Sequence, residues 1–253
     1  MKKTAYRRSQ ILEFLDSNGL VNVNELSQIF NVSEVTIRND LANLEKNRLL
    51  VRAHGGAFKT STVALPVEEK KKINLDWKKA IGSVAAQLIQ ENDSIILDSG
   101  TTTFEIANNL GEFKKLTVIS NALDIINNLS KFENLDVLVP GGFLKEFSMS
   151  LVGPLAEKNF KQLHCNKLFL GVDGFKADIG VYTYHLEEAY LNQLMIEIAD
   201  EVIVVADSSK FEKMGFAFIA GFNKINKVIT DKNINSEHLK MLERNNVEVI
   251  VAS

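Results

Sequence analysis

The feature that most constrains the fold is a regular alternation of short apolar runs with helical patterns from Trp77 onward. The apolar runs are rich in β-branched residues and comprise Ser94–Leu97, Leu116–Ile119, Asp136–Val139, Lys167–Leu170, Glu201–Val205, Lys227–Ile229 and Glu248–Val251. The helical patterns between them include Lys78–Gln90, Thr103–Leu110, Ala122–Leu129, Glu187–Ala199 and Ser236–Asn245. Short apolar strands that alternate with helices form parallel sheets covered on both faces. The sequence therefore predicts an open, mainly parallel α/β domain over residues 77–253.

Residues 4–46 follow a different pattern, in which apolar residues recur at helical spacing. Three groups can be distinguished: Ile11, Leu12 and Leu15; Leu26, Ile29 and Phe30; and Ile37, Leu41 and Leu44. They predict three short helices, with Asn24 as the N-cap of the second and Ser33 as the N-cap of the third. Only Asn31 and Val32 lie between the second and third helices, a joint typical of a helix-turn-helix.

A β-ribbon is predicted after the third helix. Leu49–Arg52 is followed by Ala53–Ala57, which contains a Gly-Gly pair suited to the tip of a wing. Residues 1–57 therefore predict a winged helix-turn-helix of the size of one DNA-binding module. Residues 58–76 lack clean periodicity and contain Pro66, so they are interpreted as a linker. Within it, the charge run Glu68–Lys72 is interpreted as a solvated helix start.

The predicted third helix offers side chains suited to reading DNA. If its apolar residues face the core, the polar side chains of Thr36, Arg38, Asn39 and Asn43 face outward. Arginine can bind guanine, asparagine can bind adenine, and threonine can reach a phosphate or a thymine methyl group. The candidate DNA-binding residues are Ser33, Thr36, Arg38, Asn39, Asn43, Arg52 and His54, the last two on the wing. A routine polar helix face is the alternative, but the turn, the wing and the N-terminal position together favour DNA.

Charge and composition narrow the class of protein. The net charge is −3, yet residues 1–60, the N-terminal head of the chain, hold nine Lys or Arg against six Asp or Glu. This excess favours a polyanion partner for the head and not for the rest of the chain. The longest apolar stretches, such as Val202–Ala206, are far shorter than the ~18 residues of a membrane span. Cys165 is the only cysteine, and the four histidines lack metal-ligand spacing. We expect a cytoplasmic protein with no membrane contact, metal or cofactor.

Polar clusters follow three of the predicted strands, at Asp98–Thr102, Asp173-Gly174 and Asp207–Lys210. Ligands of open parallel sheets bind at the carboxyl ends of the strands, so these clusters can converge. The first lies at a predicted helix N-terminus, where amide groups bind anions, and a lysine in the third supplies charge for a phosphate. Each cluster alone could be an ordinary turn or cap, but together they favour a pocket with Gly141 and Gly142 at its rim. They match no ATP or dinucleotide motif.

The chain resembles the DeoR family of bacterial sugar-metabolism repressors. The head is similar to the family's through RRSQILEFL and VNELSQIFNVSEVTIRNDLANLEKNRLLVRAHGGA. The sensor-domain motifs of the family reappear as DSGTT (98–102), SN (120–121), PGG (140–142), DG (173–174) and ADSSKF (206–211). The recognition helix of the family carries Thr-Ile-Arg-Arg-Asp-Leu, whereas Asn39 replaces the second arginine here. One phosphate contact is therefore expected to be lost or exchanged for a base contact.

The resemblance extends to ribose-5-phosphate isomerase, whose fold the DeoR sensor domain shares. Ser99–Thr102, Asp173-Gly174 and Lys210 match three of the four elements of that substrate site. The fourth element, a Gly-rich loop with a catalytic glutamate, is altered at Asp178–Thr183. A nearby Glu187 or Glu188 is explained by the start of a helix. The resemblance implies that sugar-phosphate binding is retained while turnover is lost, so no catalytic residue is predicted.

The function that the resemblance implies is a repressor of a carbohydrate-catabolism operon, released from operator DNA by a phosphorylated sugar. The effector-binding residues implied are Asp98, Ser99, Gly100, Thr101, Thr102, Asn121, Gly141, Gly142, Asp173, Gly174 and Lys210. Residues 184–218 are similar to the amino-sugar branch of the family, which implies a galactosamine-type effector. A homodimer matches paired half-sites, and the family resemblance suggests a tetramer. The alternatives are a sugar-phosphate isomerase-like enzyme with an appended DNA-binding domain, an architectural DNA-binding protein, and an activator that requires its ligand.

Overall fold

The computed structural model describes residues 2–18, 20–46, 50–53, 55–59, 67–211, 213 and 215–253. The chain divides into two compact units, Met1–Ala64 and Leu65–Ser253. Each is described by itself. Among the residues that the structure describes, no helix is both long and apolar enough to cross a membrane.

The first unit packs three helices against a small antiparallel sheet. Its elements are α1 (Lys2–Asn18), β1 (Leu20–Asn22), α2 (Val23–Phe30), α3 (Glu34–Lys46), β2 (Leu50–Ala53) and β3 (Gly56–Lys59). The strand order is β1-β3-β2. The core is formed by apolar side chains from every element, namely Ile11, Leu15, Val21, Val23, Leu26, Ile37, Leu41, Leu44, Leu50 and Ala57. This is the predicted winged helix-turn-helix, with β1 as a third strand that the sequence pattern did not reveal.

The second helix begins earlier than predicted. Val23 is buried, and burying it draws the helix start forward, so that Asn22 is the N-cap and accepts from the Asn24 amide at 2.9 Å. The prediction of Asn24 as the cap was wrong. Ile29, assigned to the core, is 54% exposed because an eight-residue helix buries mainly Val23 and Leu26. The predicted cap of α3 is confirmed, since the Ser33 hydroxyl accepts from the Thr36 amide at 3.3 Å.

The turn and the wing depend on two special backbone positions. Asn31 ends α2 in the left-handed conformation (φ 49°), which asparagine tolerates better than most residues. Gly56 opens β3 directly against β1, where a Cβ atom would lie 2.1 Å from the Val21 carbonyl oxygen. The glycine therefore allows the wing to pair with β1.

The second unit is built around a seven-stranded parallel sheet. Its helices are α4 (Val67–Lys70), α5 (Leu75–Ala86), α6 (Thr101–Ala107), α7 (Leu123–Leu129), α8 (Pro154–Phe160), α9 (Leu186–Glu197) and α10 (Ser236–Arg244). The sheet strands are β4 (Ser94–Leu97), β5 (Leu116–Ser120), β6 (Leu135–Leu138), β9 (Cys165–Gly171), β12 (Ala199–Val205), β14 (Lys227–Asp231) and β15 (Glu248–Ala252), in the order β15-β14-β12-β9-β4-β5-β6. These are the seven predicted strands, each within two residues of its predicted ends, so the predicted α/β architecture is confirmed.

The central strands are apolar on both faces, as a covered parallel sheet requires. On β9, Phe169 packs into one hydrophobic cluster while its neighbours Leu168 and Leu170 pack into the other. On β4, Ile95 and Leu97 face the first of these clusters and Ile96 faces the second. Successive side chains of a strand point to opposite faces, so every position in these runs must be apolar.

Five short strands and two helices of the second unit were not predicted. The strands are β7 (Phe143–Lys145), β8 (Ser150–Val152), β10 (Gly174–Lys176), β11 (Gly180–Thr183) and β13 (Ala217–Ala220), which pair antiparallel as β7-β8 and β10-β11-β13. The helices are α4 and α8. The five strands and α4 are too short to show a period, so a pattern-based reading misses them.

The segment interpreted as a linker is largely folded where it is described. Phe58 and Lys59 belong to β3, Val67–Lys70 form α4, and α5 begins at Leu75 after a turn. The Val67 amide donates to the Phe147 carbonyl at 3.1 Å within the second unit. The charge run also differs from a solvated helix start, because two of its lysines bind carboxylates elsewhere in this unit.

Candidate functional site

The recognition helix α3 presents the expected polar surface. Ile37, Leu41 and Leu44 are buried, whereas the predicted readers lie on the opposite side of the helix or at its start. Ser33, Arg38 and Asn39 are exposed, and Thr36 and Asn43 are half-buried. Thr36, Asn39 and Asn43 lie on one side of α3, Arg38 lies on an adjoining exposed side, and Ser33 precedes the helix.

Two contacts preorganise the start of this surface. The Arg38 Nη2 atom lies 2.6 Å from Glu34 Oε2, one helical turn earlier, and both side chains are about half exposed. Such an exposed pair contributes only about 0.3–0.5 kcal/mol, so Arg38 can leave it for a DNA contact at little cost. The hydroxyl oxygens of Ser33 and Thr36 lie 2.9 Å apart.

A buried carboxylate fixes α3 against α1. Asp40 is 2% exposed and accepts from Arg7 Nε at 2.6 Å and from Arg8 Nε at 2.8 Å. Arg8 Nη1 also donates to Asn43 Oδ1 at 2.6 Å. Reading adenine with a bidentate contact would require that same oxygen, so Asn43 belongs to this clamp in the present structure. Sequence reasoning missed the clamp, although an aspartate on the apolar side of a helix was a usable signal.

The wing contributes one candidate that can be placed. Arg52 on β2 is exposed, with its main-chain amide donating to Glu45 Oε1 at 3.1 Å and its guanidinium 3.9 Å from Glu45 Oε2. This contact joins the wing to the end of α3. His54, the other predicted wing residue, lies outside the described residues.

In the second unit, the predicted polar clusters meet at one edge of the sheet. Asp98, Asp173 and Asp207 follow the neighbouring strands β4, β9 and β12 at their carboxyl ends. Asn121 follows β5 next to β4, at the position that corresponds to Asp98 in the parallel register. The predicted convergence at the carboxyl edge is therefore present in the strand order itself.

Two lysines meet at Asp173. Lys70 Nζ lies 2.8 Å from its Oδ1 atom and Lys210 Nζ lies 3.7 Å away, while the Thr183 hydroxyl donates to Oδ2 at 3.1 Å. Burial alone would raise the pKa of Asp173, but the two ammonium groups outweigh burial and lower the pKa to about 2. Asp173 is therefore an ionised carboxylate, largely neutralised by lysine.

A third lysine lies beside this pair. Lys78 is only 3% exposed, and its ammonium group donates to the Lys70 carbonyl at 2.5 Å. Burial, reinforced by the charges of Lys210 and Lys70, lowers the pKa of Lys78 to about 8 despite the favourable charge of Asp207. Burial likewise lowers the pKa of Lys210. Burial and neighbouring cations both disfavour the charged form of a lysine, and a nearby anion favours it.

The cluster has one further carboxylate, Asp207. Its Oδ1 atom accepts from the Ser209 hydroxyl at 2.5 Å, from the Ser209 amide at 3.2 Å and from Asn74 at 3.0 Å. Asp207 thus lies next to the lysine cluster, with its Oδ1 atom engaged by Ser209 and Asn74. Sequence reasoning found Lys210 but missed Lys70 and Lys78, which it placed in a solvated run and on an ordinary helix. The spacing of Lys78 to Ile81 and Ala85 on the buried face of α5 was the available signal.

Asp98 lies at the end of the neighbouring strand β4 and differs from Asp173. It is buried, and its Oδ2 atom accepts from the Gly171 amide at 3.3 Å. Burial, together with the charge of Glu188, raises the pKa of Asp98 to about 8. Glu188 in turn accepts from the Ser150 hydroxyl at 3.2 Å. Asp98 is therefore largely protonated near neutral pH, so the end of β4 offers a donor as well as acceptors to hydroxyl groups.

The turn between β4 and α6 combines a glycine with buried threonines. Gly100 is the N-cap of α6, and Thr101 and Thr102 are buried in its first turn. The first amides of a helix have no intrahelical acceptor and favour anions. The Thr103 hydroxyl donates to the Gly100 carbonyl at 2.8 Å. Ser99 lies beside Asp98, with its hydroxyl 3.4 Å from Asp98 Oδ1.

The remaining predicted residues have clear structural settings. Asn121 is buried and donates from Nδ2 to the Leu151 carbonyl at 3.2 Å, while its Oδ1 atom has no hydrogen-bond partner among the described residues. Gly142 has φ +125°, and a Cβ atom there would lie 2.6 Å from the Val152 carbonyl oxygen of β8. Gly141 also has positive φ, and Gly174 pairs with Tyr182 in β10-β11. Gly142 is thus explained by its close approach to β8 and its positive φ, and Gly141 by its positive φ.

Comparison with known proteins identifies the class of this chain. Residues 7–63 match the DeoR-like helix-turn-helix domain, and residues 73–232 match the DeoR C-terminal sensor domain. The chain therefore belongs to the DeoR family of transcriptional regulators, as its sequence motifs predicted.

Individual relatives agree with this assignment over nearly the whole chain. The chain is 41% identical to a putative aga operon transcriptional repressor of Escherichia coli O157:H7, covering 98% of this chain and 94% of that protein. It is 32% identical to a lactose phosphotransferase system repressor of Staphylococcus epidermidis, with coverage of 90% and 92%. Among solved structures, ribose 5-phosphate isomerase A from Methanocaldococcus jannaschii is 16% identical, with TM-score 0.41 and 55% of each chain covered. The chain is a regulator and not an enzyme, so the alternative of an isomerase-like enzyme was wrong.

Proposed function

We propose that this chain represses a carbohydrate-catabolism operon and is released from its operator by a phosphorylated sugar. Residues 1–57 bind the operator, and residues 77–253 together with Lys70 of α4 bind the effector. The names of its relatives, which include an aga operon repressor and a lactose phosphotransferase system repressor, support a carbohydrate operon. A protein with these two ligands acts in the bacterial cytoplasm.

The lysine cluster is the observation that carries the effector proposal. Lys70 and Lys210 meet at Asp173, and Lys78 donates to the Lys70 carbonyl, so three ammonium groups lie together at the carboxyl edge of the sheet. In this proposal the three ammonium groups bind the phosphate. The amides of Thr101 and Thr102 extend the anion site.

The part of the pocket at the end of β4 binds the sugar. Asp98 and Asn121 present oxygen atoms to hydroxyl groups, and Asp173 accepts from a further hydroxyl at the lysine cluster. Gly174 holds the backbone next to Asp173, and Ser99 and Gly100 shape the turn between sugar and phosphate. Gly141 and Gly142 form the rim. The similarity of residues 184–218 to the amino-sugar branch supports a galactosamine-type sugar phosphate.

The DNA-binding unit reads the operator through α3 and the wing. The major groove of the DNA is contacted by Ser33, Thr36, Arg38 and Asn39. The DNA phosphate backbone is contacted by Arg52 and His54. Asn43 joins them once Arg8 releases its amide. We propose a homodimer, or a tetramer built from two dimers, because paired heads match palindromic half-sites.

Release requires that the effector bind the DNA-incompetent state more tightly than the competent one. The test uses the full chain and an operator duplex selected by that chain from a random library. The duplex-bound protein is titrated with galactosamine 6-phosphate, galactose 6-phosphate, galactose and inorganic phosphate. We expect release by a sugar phosphate and no release by galactose.

Neutral lysine variants locate the phosphate. Lys210→Glu would place a second carboxylate against Asp173, so Lys70→Gln and Lys210→Gln are the cleaner changes. Each should bind the duplex normally but need at least about tenfold more effector for release, since a charged contact contributes roughly 1.5–3 kcal/mol. The matched control is Lys72→Gln, an exposed lysine of the same segment. Normal release by both variants, or release by no sugar phosphate, would overturn the proposal.

A further inference from the structure

The exposed face of α3 has a central row that is not wholly polar. The row begins at Val35. Arg38, Asn39 and Ala42 lie three, four and seven residues after it, so the four side chains share one helix face. Val35, Arg38 and Asn39 are exposed, and Ala42 is half-buried. Thr36 and Asn43 lie at the flank of this row.

Val35 stands at the start of that row without internal packing. It is 63% exposed, in the first turn of α3, and it is absent from the apolar cluster that forms the core of the first unit. The other large aliphatic side chain exposed to a similar extent in α2 or α3 is Ile29, on the helix before the turn. Single exposed apolar residues are common, so exposure alone assigns no role to either.

Position distinguishes the two residues. In a helix-turn-helix, the N-terminal part of the second helix contacts base edges in the major groove, whereas the first helix crosses the backbone. Val35 is the second residue of α3 and lies between the two predicted base readers and the helix start. A valine has no hydrogen-bonding group, so on this face it can recognise only an apolar feature of the groove.

Thymine supplies the one apolar feature of a base edge in the major groove, its 5-methyl group. We propose that Val35 is a specificity-determining residue that contacts the 5-methyl group of a thymine in the operator. Arg38 and Asn39 then read hydrogen-bonding groups on neighbouring base pairs, and Val35 adds selection for thymine by excluding water from the methyl contact.

The experiment removes the methyl group alone. In the duplex selected by the full chain, each thymine is replaced in turn by deoxyuridine, which pairs identically and lacks only that group. For the unmodified protein, replacement at one thymine per half-site should weaken binding about fourfold, the ratio that corresponds to burying one methyl group. In a homodimer Val35→Ala removes the contact in both half-sites, so it should bind the thymine duplex about sixteenfold more weakly and should be insensitive to deoxyuridine at that same position.

Ile29→Ala is the matched control, because it truncates an exposed aliphatic residue of the preceding helix. It should keep the full deoxyuridine effect. If no thymine replacement weakens binding, or if Val35→Ala keeps the same sensitivity as the unmodified protein, the inference is wrong. If the chain selects no duplex at all, DNA recognition itself fails, so the two failures are distinguishable. A thermal unfolding curve for Val35→Ala confirms that the exposed substitution leaves the fold intact.

Discussion

Replacing Asp173 by asparagine should destabilise the sensor unit while keeping its shape. The side chain of Asp173 is only 12% exposed, and its ionised form is held by Lys70 and Lys210. Despite the opposing effect of burial, these lysines lower the pKa from 3.8 to about 2. Because one pKa unit corresponds to 1.36 kcal/mol, the ionised carboxylate contributes about 2 kcal/mol of stability at neutral pH.

The pH dependence of this contribution has a definite sign. The folded-state pKa lies below the unfolded one, so the unfolded chain binds the proton first as the pH falls. The contribution is therefore complete above the unfolded pKa of 3.8 and disappears as the pH falls through about 2. Asp173→Asn should be less stable than the unmodified chain at pH 7, and the difference should shrink steadily between pH 4 and pH 2.

The chain offers a convenient reporter for this measurement. It contains one tryptophan, Trp77, which lies in the second unit, so tryptophan fluorescence follows the unfolding of that unit alone. A loss of about 2 kcal/mol should lower the midpoint of thermal unfolding by roughly 4–8 °C. Asp136→Asn, at an exposed position on the edge strand β6, is the matched control. Equal midpoints at pH 7, or a difference that persists unchanged at pH 2.5, would refute the reasoning.

Three further predictions follow from other charged groups. Burial and a neighbouring charge raise the pKa of Asp98 to about 8, so the folded state keeps a proton that the unfolded chain releases. The free energy of unfolding should therefore fall from pH 4 to pH 8. Asp98→Asn should abolish part of that fall, measured by urea unfolding with tryptophan fluorescence. Burial lowers the pKa of Lys78 to about 8, so an anionic effector should bind with proton uptake between pH 8 and 10, seen in calorimetry as a heat that depends on the buffer; buffer-independent heat would contradict this. Asp40→Asn should leave Arg7 and Arg8 poorly paired and reduce operator affinity about tenfold or more at 37 °C without altering the tryptophan midpoint, whereas unchanged affinity would show that the clamp does not position α3.

The sequence predicted most of the fold because its large elements bury continuous apolar surface. Strands such as Ser94–Leu97 must be apolar at every position to lie between two helical layers, so their boundaries can be read directly. The antiparallel strands of three or four residues were missed because no period develops over that length. Asn24 was taken as a cap because its helix start depends on the burial of Val23, which is a tertiary effect.

The site was predictable where it depends on turns and not where it depends on buried charge. Asp98, Asp173 and Lys210 follow strand ends, and the parallel topology brings such positions together. Lys70 and Lys78 escaped notice because lysine is usually solvated, and only the fold shows the carboxylates that hold them. Asp40 was missed in the same way, because only the fold shows the two arginines of α1 that pair with it.

The Lys70–Asp173 ion pair has a thermodynamic consequence for communication along the chain. Lys70 ends α4, and only residues 60–66 separate that helix from the last strand of the DNA-binding unit. A ligand anion that binds Lys70 competes with Asp173 for it, so ligand occupancy and the anchoring of this segment form one coupled equilibrium. Such coupling is reciprocal. If operator binding favours the intact ion pair, the operator lowers the affinity for the ligand by the same factor by which the ligand lowers the affinity for the operator.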